Sequence, residues 1–205
     1  MIPSDAVVFI VDDDELIRDS LEQLIKSTGL KAETFSSAQA FLDVDLPDFA
    51  SCLILDIRMP GLSGLELQNM LIKRGTLIPI IFITGHGTVP MSVRAMKAGA
   101  MDFLQKPFED QELLDLVNQA LVQNKQTKEE QATSEAVQKC IDSLTNRELD
   151  ILLHVVTGML NKQIAFELNI SESTVKTHRA RIMKKMEVES FADLVRATEL
   201  VGLGR

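Results

Sequence analysis

The chain has 205 residues, 45% hydrophobic and 25% charged, the composition of an ordinary globular protein of one large or two small domains. No apolar run is long enough to span a bilayer; two cysteines are too few for a structural zinc site and in their settings fit reduced thiols better than a disulfide; and Met1-Ile2-Pro3-Ser4-Asp5 lacks the basic start of a signal peptide, so a cytoplasmic protein with no membrane partner is expected. The net charge of −9 belongs to the first part: residues 1–124 carry 9 Lys/Arg against 18 Asp/Glu, residues 125–205 carry 12 of each, and 173–186 holds five basic residues and no acid.

In chain order, strand 7–11 ends in Asp12-Asp13-Asp14-Glu15. A helix over 15–27 places Leu16, Ile17, Leu21, Leu24 and Ile25 on one side. A weaker strand near 31–35 and a helix over 37–43 follow. Strand 52–55 ends at Asp56, before Ile57-Arg58-Met59-Pro60-Gly61. A helix over 64–73 leads to strand 79–83, which ends in Thr84-Gly85. A helix over 89–98, a weaker strand near 101–104 that runs into Lys106-Pro107, and a helix over 109–122 complete the series. Gly29, Gly75 and Gly99 stand where helices end. Strands 7–11, 52–55 and 79–83 are continuous apolar runs, the pattern of parallel strands covered on both faces. Five βα units of this length predict an α/β domain with a doubly wound, five-stranded parallel sheet over residues 1–122.

Residues 123–141 are mostly Gln, Lys, Glu, Asn, Thr and Ser, without Gly or Pro. They read as a polar, helical linker that prolongs the preceding helix. The apolar stripe of Leu114, Val117 and Leu121 stops at Asn124 and Lys128, which argues against a long coiled coil. Residues 142–205 read as a small all-α domain. Thr145-Asn146-Arg147-Glu148 is a capping box, opening a helix whose buried face is expected to carry Leu149, Leu152, Leu153 and Val156 and which Gly158 ends. Asn161 opens a short helix with Ile164, Ala165 and Leu168; Asn169-Ile170 is the turn; Ser171 or Ser173 caps a helix to about Met186. Ser190 caps a last helix with Phe191, Leu194, Val195 and Thr198. A short helix, a tight turn and a basic helix make a helix-turn-helix.

Open α/β sheets place their chemistry at the carboxyl ends of the strands. Here those ends supply acids (Asp12, Asp13, Asp56), a hydroxyl (Thr84) and an amine (Lys106). Crowded carboxylates repel one another unless a cation intervenes, and oxygen ligands with room for water suit Mg²⁺. Asp56 is placed to act as a carboxylate nucleophile towards phosphorus, with Lys106 neutralising and Thr84 hydrogen-bonding a phosphoryl oxygen. Asp14 and Glu15 read as first-turn acids that complement a helix dipole, His86 as a structural or solvent-facing loop residue, and the methionines as core filler.

On the helix 173–186, Val175, Ile182 and Met186 form the inner stripe. Lys176, Thr177, Ala180, Arg181 and Lys184 point outward. A basic face without aromatic rings suits duplex DNA rather than single strands. Lys176, Thr177, Ala180 and Arg181 are the candidates for base edges in a major groove, and Lys162, Thr174 and Lys184 for phosphates. His178 reads as a packing residue and Arg179 as a side chain snorkelling at the core's edge.

The segments VVFIVDDD, LILDIRMPGLSG, PIIFITGHG, VRAMKAGAMDFLQKPF and NKQIAFELNISESTVKTH resemble a two-component response regulator of the FixJ/NarL type: a flavodoxin-like receiver followed by a LuxR-type helix-turn-helix domain. The resemblance covers nearly the whole chain. It implies that Asp56 accepts a phosphoryl group, Asp13 binds Mg²⁺ directly and Asp12 through water, and the Arg58 main-chain carbonyl is a further ligand. It implies that Thr84 and Phe103 form the switch pair, and that Lys106-Pro107 has a cis peptide. It implies as partners a sensor histidine kinase, double-stranded promoter DNA, a second copy of the chain on phosphorylation, and RNA polymerase. Dimerisation through the face of residues 88–98 and 101–105, and release of a masked helix 173–186, stay open as alternatives. An aspartate-nucleophile phosphatase would have a second acid where Arg58 stands, so a non-enzymatic regulator is expected. A constitutive DNA-binding protein would lack an acceptor-site residue, and none is missing.

Overall fold

A computed structural model describes residues 6–85 and 88–203; the N-terminal pentapeptide and His86 lie outside the described residues. The chain forms two compact units, Met1–Glu129 and Glu130–Arg205. The first contains β1 (Val7–Val11), α1 (Glu15–Ser27), β2 (Lys31–Phe35), α2 (Ala38–Leu42), β3 (Ser51–Asp56), α3 (Gly64–Lys73), β4 (Ile80–Thr84), α4 (Val89–Lys97), β5 (Asp102–Gln105) and the start of α5 (Asp110–Asp142).

The sheet has the order β2-β1-β3-β4-β5, every pair parallel. The order reverses between β1 and β3, where such sheets open a crevice at their carboxyl edge. The central strands β1, β3 and β4 are buried along their whole length. Their side chains alternate between two cores. Val7, Phe9, Val11, Leu53, Leu55 and Phe82 pack with Phe41, Leu67 and Leu71 of α2 and α3. Val8, Ile10, Ile54, Ile81 and Ile83 pack with Leu21 and Ile25 of α1 and with Leu113, Val117 and Leu121 of α5. Each such aliphatic side chain contributes roughly 1.5–3 kcal/mol on burial, so the sheet's centre is the rigid frame that fixes the strand ends.

Leu16 does not join the buried side of α1. It is 79% exposed, because Asp14 caps the helix through the amides of Leu16 and Ile17 and holds the first turn at the rim. The polar stretch 123–141 is helical and prolongs α5.

The second unit contains α6 (Asn146–Val156), α7 (Asn161–Glu167), α8 (Glu172–Lys185) and α9 (Phe191–Leu200). Thr145 and Glu148 form the expected capping box; Ser171, not Ser173, caps α8, and Ser190 caps α9. Asn169 turns the chain between α7 and α8 at φ 52°, a conformation that Asn tolerates better than most residues. The buried face of α6 is Glu148, Ile151, Leu152 and Val155, about one residue round from the expected stripe. Leu153 is exposed, and Leu149 and Val156 only flank the core. The rotation follows from Glu148, whose carboxylate is drawn inward by Lys185 Nζ at 2.7 Å and by the Thr145 amide at 2.9 Å. Among the described residues no helix is long and apolar enough to cross a membrane.

Candidate functional site

The register Val11↔Leu55 between β1 and β3 carries the next residues, Asp12 and Asp56, to the same edge of the sheet. Both are buried, at 1% and 6% exposure, and Thr84 at the end of β4 is 1% exposed. Lys106, just past β5, reaches back across this edge. Its Nζ lies 2.7 Å from Asp12 Oδ2 and 3.3 Å from Asp56 Oδ1. Residues 94 and 50 positions away in sequence are thus joined through one ammonium. The Lys106 amide donates to the Thr84 carbonyl at 2.9 Å, and the Lys106–Pro107 peptide is cis.

Two local arrangements hold the acids. The Asp14 amide donates to Asp12 Oδ1 at 2.9 Å, and Arg18 Nη1 donates to the Asp12 carbonyl at 2.8 Å. The Arg58 amide donates to Asp56 Oδ2 at 2.6 Å. One Asp56 oxygen is therefore held by the loop and the other faces Lys106. Burial pushes the Asp56 carboxyl up from the ordinary value of 3.8; Lys106 pulls it down, Asp12 pushes it up, and the Arg58 amide pulls it down. Two buried carboxylates against one ammonium leave uncompensated negative charge at the edge, which favours an added cation.

Asp13 is exposed at the rim, as is the Arg58 side chain. Among the described residues, no three His, Cys, Asp or Glu side chains converge as a group that could hold a metal. The oxygen donors at hand are two gathered carboxylates, a neighbouring exposed one and backbone carbonyls. Mg²⁺ commonly takes one or two carboxylates and fills its remaining positions with water or phosphate oxygen, and this donor set fits that chemistry. Phe103 pairs with Phe82 in the β4–β5 register and packs, half-buried, against the core on the α3 and α4 side. Asp14 is the N-cap of α1 and Glu15 lies in its first turn; neither side chain bonds to Asp56. Arg18, which steadies the Asp12 loop, escaped the sequence reading because its contact is to a backbone atom.

Gly64, the first residue of α3, packs closest to the acceptor loop. A Cβ there would lie 2.2 Å from the Asp56 carbonyl oxygen, so only a glycine lets α3 start so close to β3.

In the second unit, Val175, Ile182 and Met186 are buried. Lys176, Thr177, Ala180, Arg181 and Lys184 are exposed on one side of α8, and Lys162 is exposed on α7. Thr174 is half-buried in the first turn of α8, and its amide and hydroxyl meet the Ser171 hydroxyl at 3.1 and 2.8 Å. Arg179 is held at the edge of the core, donating to Asn161 Oδ1 at 2.9 Å with its guanidinium 5.9 Å from the Phe191 ring centre. His178 is half-buried, and its Nδ1 is buried without a hydrogen-bond partner among the described residues. Lys185, one of the five basic residues of this stretch, is bound to Glu148 and to the Ser143 carbonyl.

Comparison with known proteins agrees with this architecture. The profile of the response regulator receiver domain matches residues 8–118, and that of the bacterial regulatory proteins of the luxR family matches residues 142–198. Nodulation protein W of Bradyrhizobium diazoefficiens is 49% identical over 198 residues, 97% of this chain and 87% of that protein. The transcriptional regulatory protein FixJ of Azorhizobium caulinodans is 44% identical over 202 residues, 98% of this chain and 95% of that one. The low-resolution structure of the response regulator StyR superposes with a TM-score of 0.85 at 48% identity, covering 95% of this chain and 98% of that one. The chain belongs to the response regulators that join a receiver domain to a luxR-family DNA-binding domain and regulate transcription.

Proposed function

We propose that this regulator is switched by phosphorylation of Asp56 and does not turn over a substrate. The observation that carries the proposal is the single Lys106 ammonium shared by Asp12 and Asp56 at the carboxyl edge of the sheet, in a chain that also carries the polar outer face of α8. An Asp56 oxygen forms the new bond to phosphorus as the bond from phosphorus to the donor's histidine nitrogen breaks, leaving an acyl phosphate on Asp56. Such transfer depends on positioning and charge neutralisation. Lys106 supplies charge to a phosphoryl oxygen, and Thr84, at the end of the adjacent strand, supplies a hydrogen bond. Asp13, Asp56 and the Arg58 carbonyl, with Asp12 through water, would hold Mg²⁺, which would supply further neutralising charge there. The donor is a sensor histidine kinase, and this protein acts in the cytoplasm.

The output follows from the neighbouring elements. Thr84 turning towards the phosphoryl group leaves space for Phe103, and the face of α4 and β5 responds. On α4 only Ala95 is buried, while Val89, Val93 and Met96 are exposed apolar side chains. A second copy covering this face, residues 88–98 and 101–105, pairs two DNA-binding domains and raises their affinity through effective concentration. In this division residues 1–122 are the receiver, 123–141 the linker and 142–205 the DNA-binding domain. Helix α8 enters the major groove of double-stranded promoter DNA. Lys176, Thr177, Ala180 and Arg181 meet base edges, and Lys162, Thr174 and Lys184 meet phosphates. RNA polymerase is the partner at the promoter.

The test is incubation with acetyl phosphate and Mg²⁺, followed by intact-mass and peptide analysis. The proposal expects one phosphoryl group per chain, borne by Asp56 and absent from Asp56→Ala. Equal labelling of the variant refutes the assignment.

A further inference from the structure

The inward stripe of α5 runs Leu113, Val117, Ala120, Leu121 and then meets a polar residue where an apolar one would continue. That residue, Asn124, is 1% exposed. Its Oδ1 accepts from the Ser51 amide at 2.9 Å, and its Nδ2 donates to the Leu77 carbonyl. Ser51 is the first residue of β3, the strand that ends in Asp56; Leu77 lies in the segment leading to β4, the strand that ends in Thr84. One turn further along α5, Lys128 Nζ donates to the carbonyls of Pro47 and Phe49, the latter at 2.9 Å. Both precede β3. Burial holds the Lys128 ammonium below its ordinary pKa, and Asp48 pulls it back up.

An apolar contact lets a helix slide or turn at little loss; a carboxamide bonded to two fixed backbone groups specifies both its rotation and its axial position. Leucine at 124 would fill similar space and leave the Ser51 amide, in a residue that is 1% exposed, without a partner, and would release the Leu77 carbonyl. The two groups belong to the amino ends of the strands whose carboxyl ends form the phosphorylation edge. Between them, β3 is a fully buried strand of about 17–20 Å, paired with β1 and β4 on its two sides. On the other side of the contact, α5 continues to Asp142.

We infer that Asn124, supported by Lys128, is a positioning residue that ties the acceptor strand and its neighbour β4 to the helix that leaves the receiver. A displacement at the Asp56–Thr84 edge then reaches the register of α5 through the far ends of the same strands. The inference rests on the phosphorylation reading above.

The test uses the full chain as wild type, Asn124→Leu and Lys128→Met. Two quantities are measured at a temperature well below unfolding: the extent of Asp56 labelling by acetyl phosphate, and the gain in affinity for a selected DNA duplex on adding beryllofluoride and Mg²⁺. Allosteric gains are typically about 5–150-fold. The expected result is wild-type labelling in both variants, with the gain lost in Asn124→Leu and reduced in Lys128→Met. A purely structural Asn124 lowers the unfolding midpoint and leaves the gain intact, and that result overturns the inference. If Asn124→Leu does not fold, Lys128→Met decides, and an unchanged gain overturns it. A wild type without any gain refutes the phosphorylation switch itself, and the inference with it.

Discussion

Replacing Gly64 by alanine adds one methyl group where α3 begins, and the structure sets its consequence. The new Cβ falls 2.2 Å from the Asp56 carbonyl oxygen and 3.1 Å from both the Asp56 carbonyl carbon and the Ile57 Cα. Contacts of this kind stay beyond 3.0 Å, so α3 and the acceptor loop must separate by about 0.8 Å. All three atoms are backbone, and no side-chain rotation relieves the clash. The Gly64 amide is also bonded to the Ile57 carbonyl at 3.0 Å, so the separation stretches a bond the loop uses. Overpacking of this kind costs about 1–3 kcal/mol. With a urea dependence of roughly 1–3 kcal/mol per M, the unfolding midpoint falls by about 1 M. A reacting group misplaced by close to 1 Å can lose about 100-fold in rate, so Asp56 labelling by acetyl phosphate should slow by that order. Gly29→Ala is the control: Gly29 has φ +83° in open space, so alanine there costs roughly 1–2 kcal/mol of left-handed strain and leaves labelling untouched. A Gly64→Ala protein with wild-type midpoint and labelling rate refutes the reasoning.

Lys106→Met removes the cation shared by Asp12 and Asp56; loss of one preorganised charge-stabilising donor slows transfer by roughly 10²–10³-fold, measured as the rate of acyl phosphate formation, and an unchanged rate removes Lys106 from the mechanism. Glu148 is held at about 2 against an ordinary 4.5, chiefly by the hydrogen bond from Lys185 and then by the Thr145 amide. A lowered folded-state value gives stability that is fully present above 4.5 and lost as pH falls towards 2, so Glu148→Gln should flatten the loss of stability across that window; parallel wild-type and variant curves contradict the pairing. Cys52 is wholly buried and burial pushes its thiol up, so iodoacetamide should leave it unmodified in the native protein and alkylate it after denaturation; native labelling of Cys52 contradicts the packing. Arg181→Ala should cost about 1–3 kcal/mol and relax sequence preference at one base position, whereas Lys162→Ala should weaken all duplexes alike and lower the salt slope by about 1, both read by fluorescence anisotropy at several salt concentrations; the reverse pattern reassigns the two residues.

The strands and helices were legible wherever one local signal decided them. Continuous apolar runs located β1, β3 and β4, and Gly29, Gly75 and Gly99, all at positive φ, marked helix ends. The residues of the candidate edge were legible because they stand at strand ends, although their convergence on Lys106 is a property of strand order that no local pattern contains. Helical periodicity misled at α6, where an apolar stripe through Leu149 and Leu153 looked as good as the true one. A buried carboxylate, Glu148, turned the helix, and its partner Lys185 lies 37 residues away. The same limit applied to α5. Asn124 and Lys128 looked like the place where packing stops, whereas their partners at Ser51, Leu77, Pro47 and Phe49 make them anchors. Polar residues inside a stripe are ambiguous until their partners are known, because a satisfied buried amide and a solvated one are the same letter.

The most direct measurement is the oligomeric state and duplex affinity of wild type and Asp56→Ala, at fixed salt, with and without beryllofluoride and Mg²⁺. The phosphorylation switch predicts that the wild type dimerises and binds more tightly with the mimic while Asp56→Ala does not respond. Equal binding by both proteins in both conditions contradicts it, and leaves a constitutive DNA-binding protein whose receiver edge is not the switch.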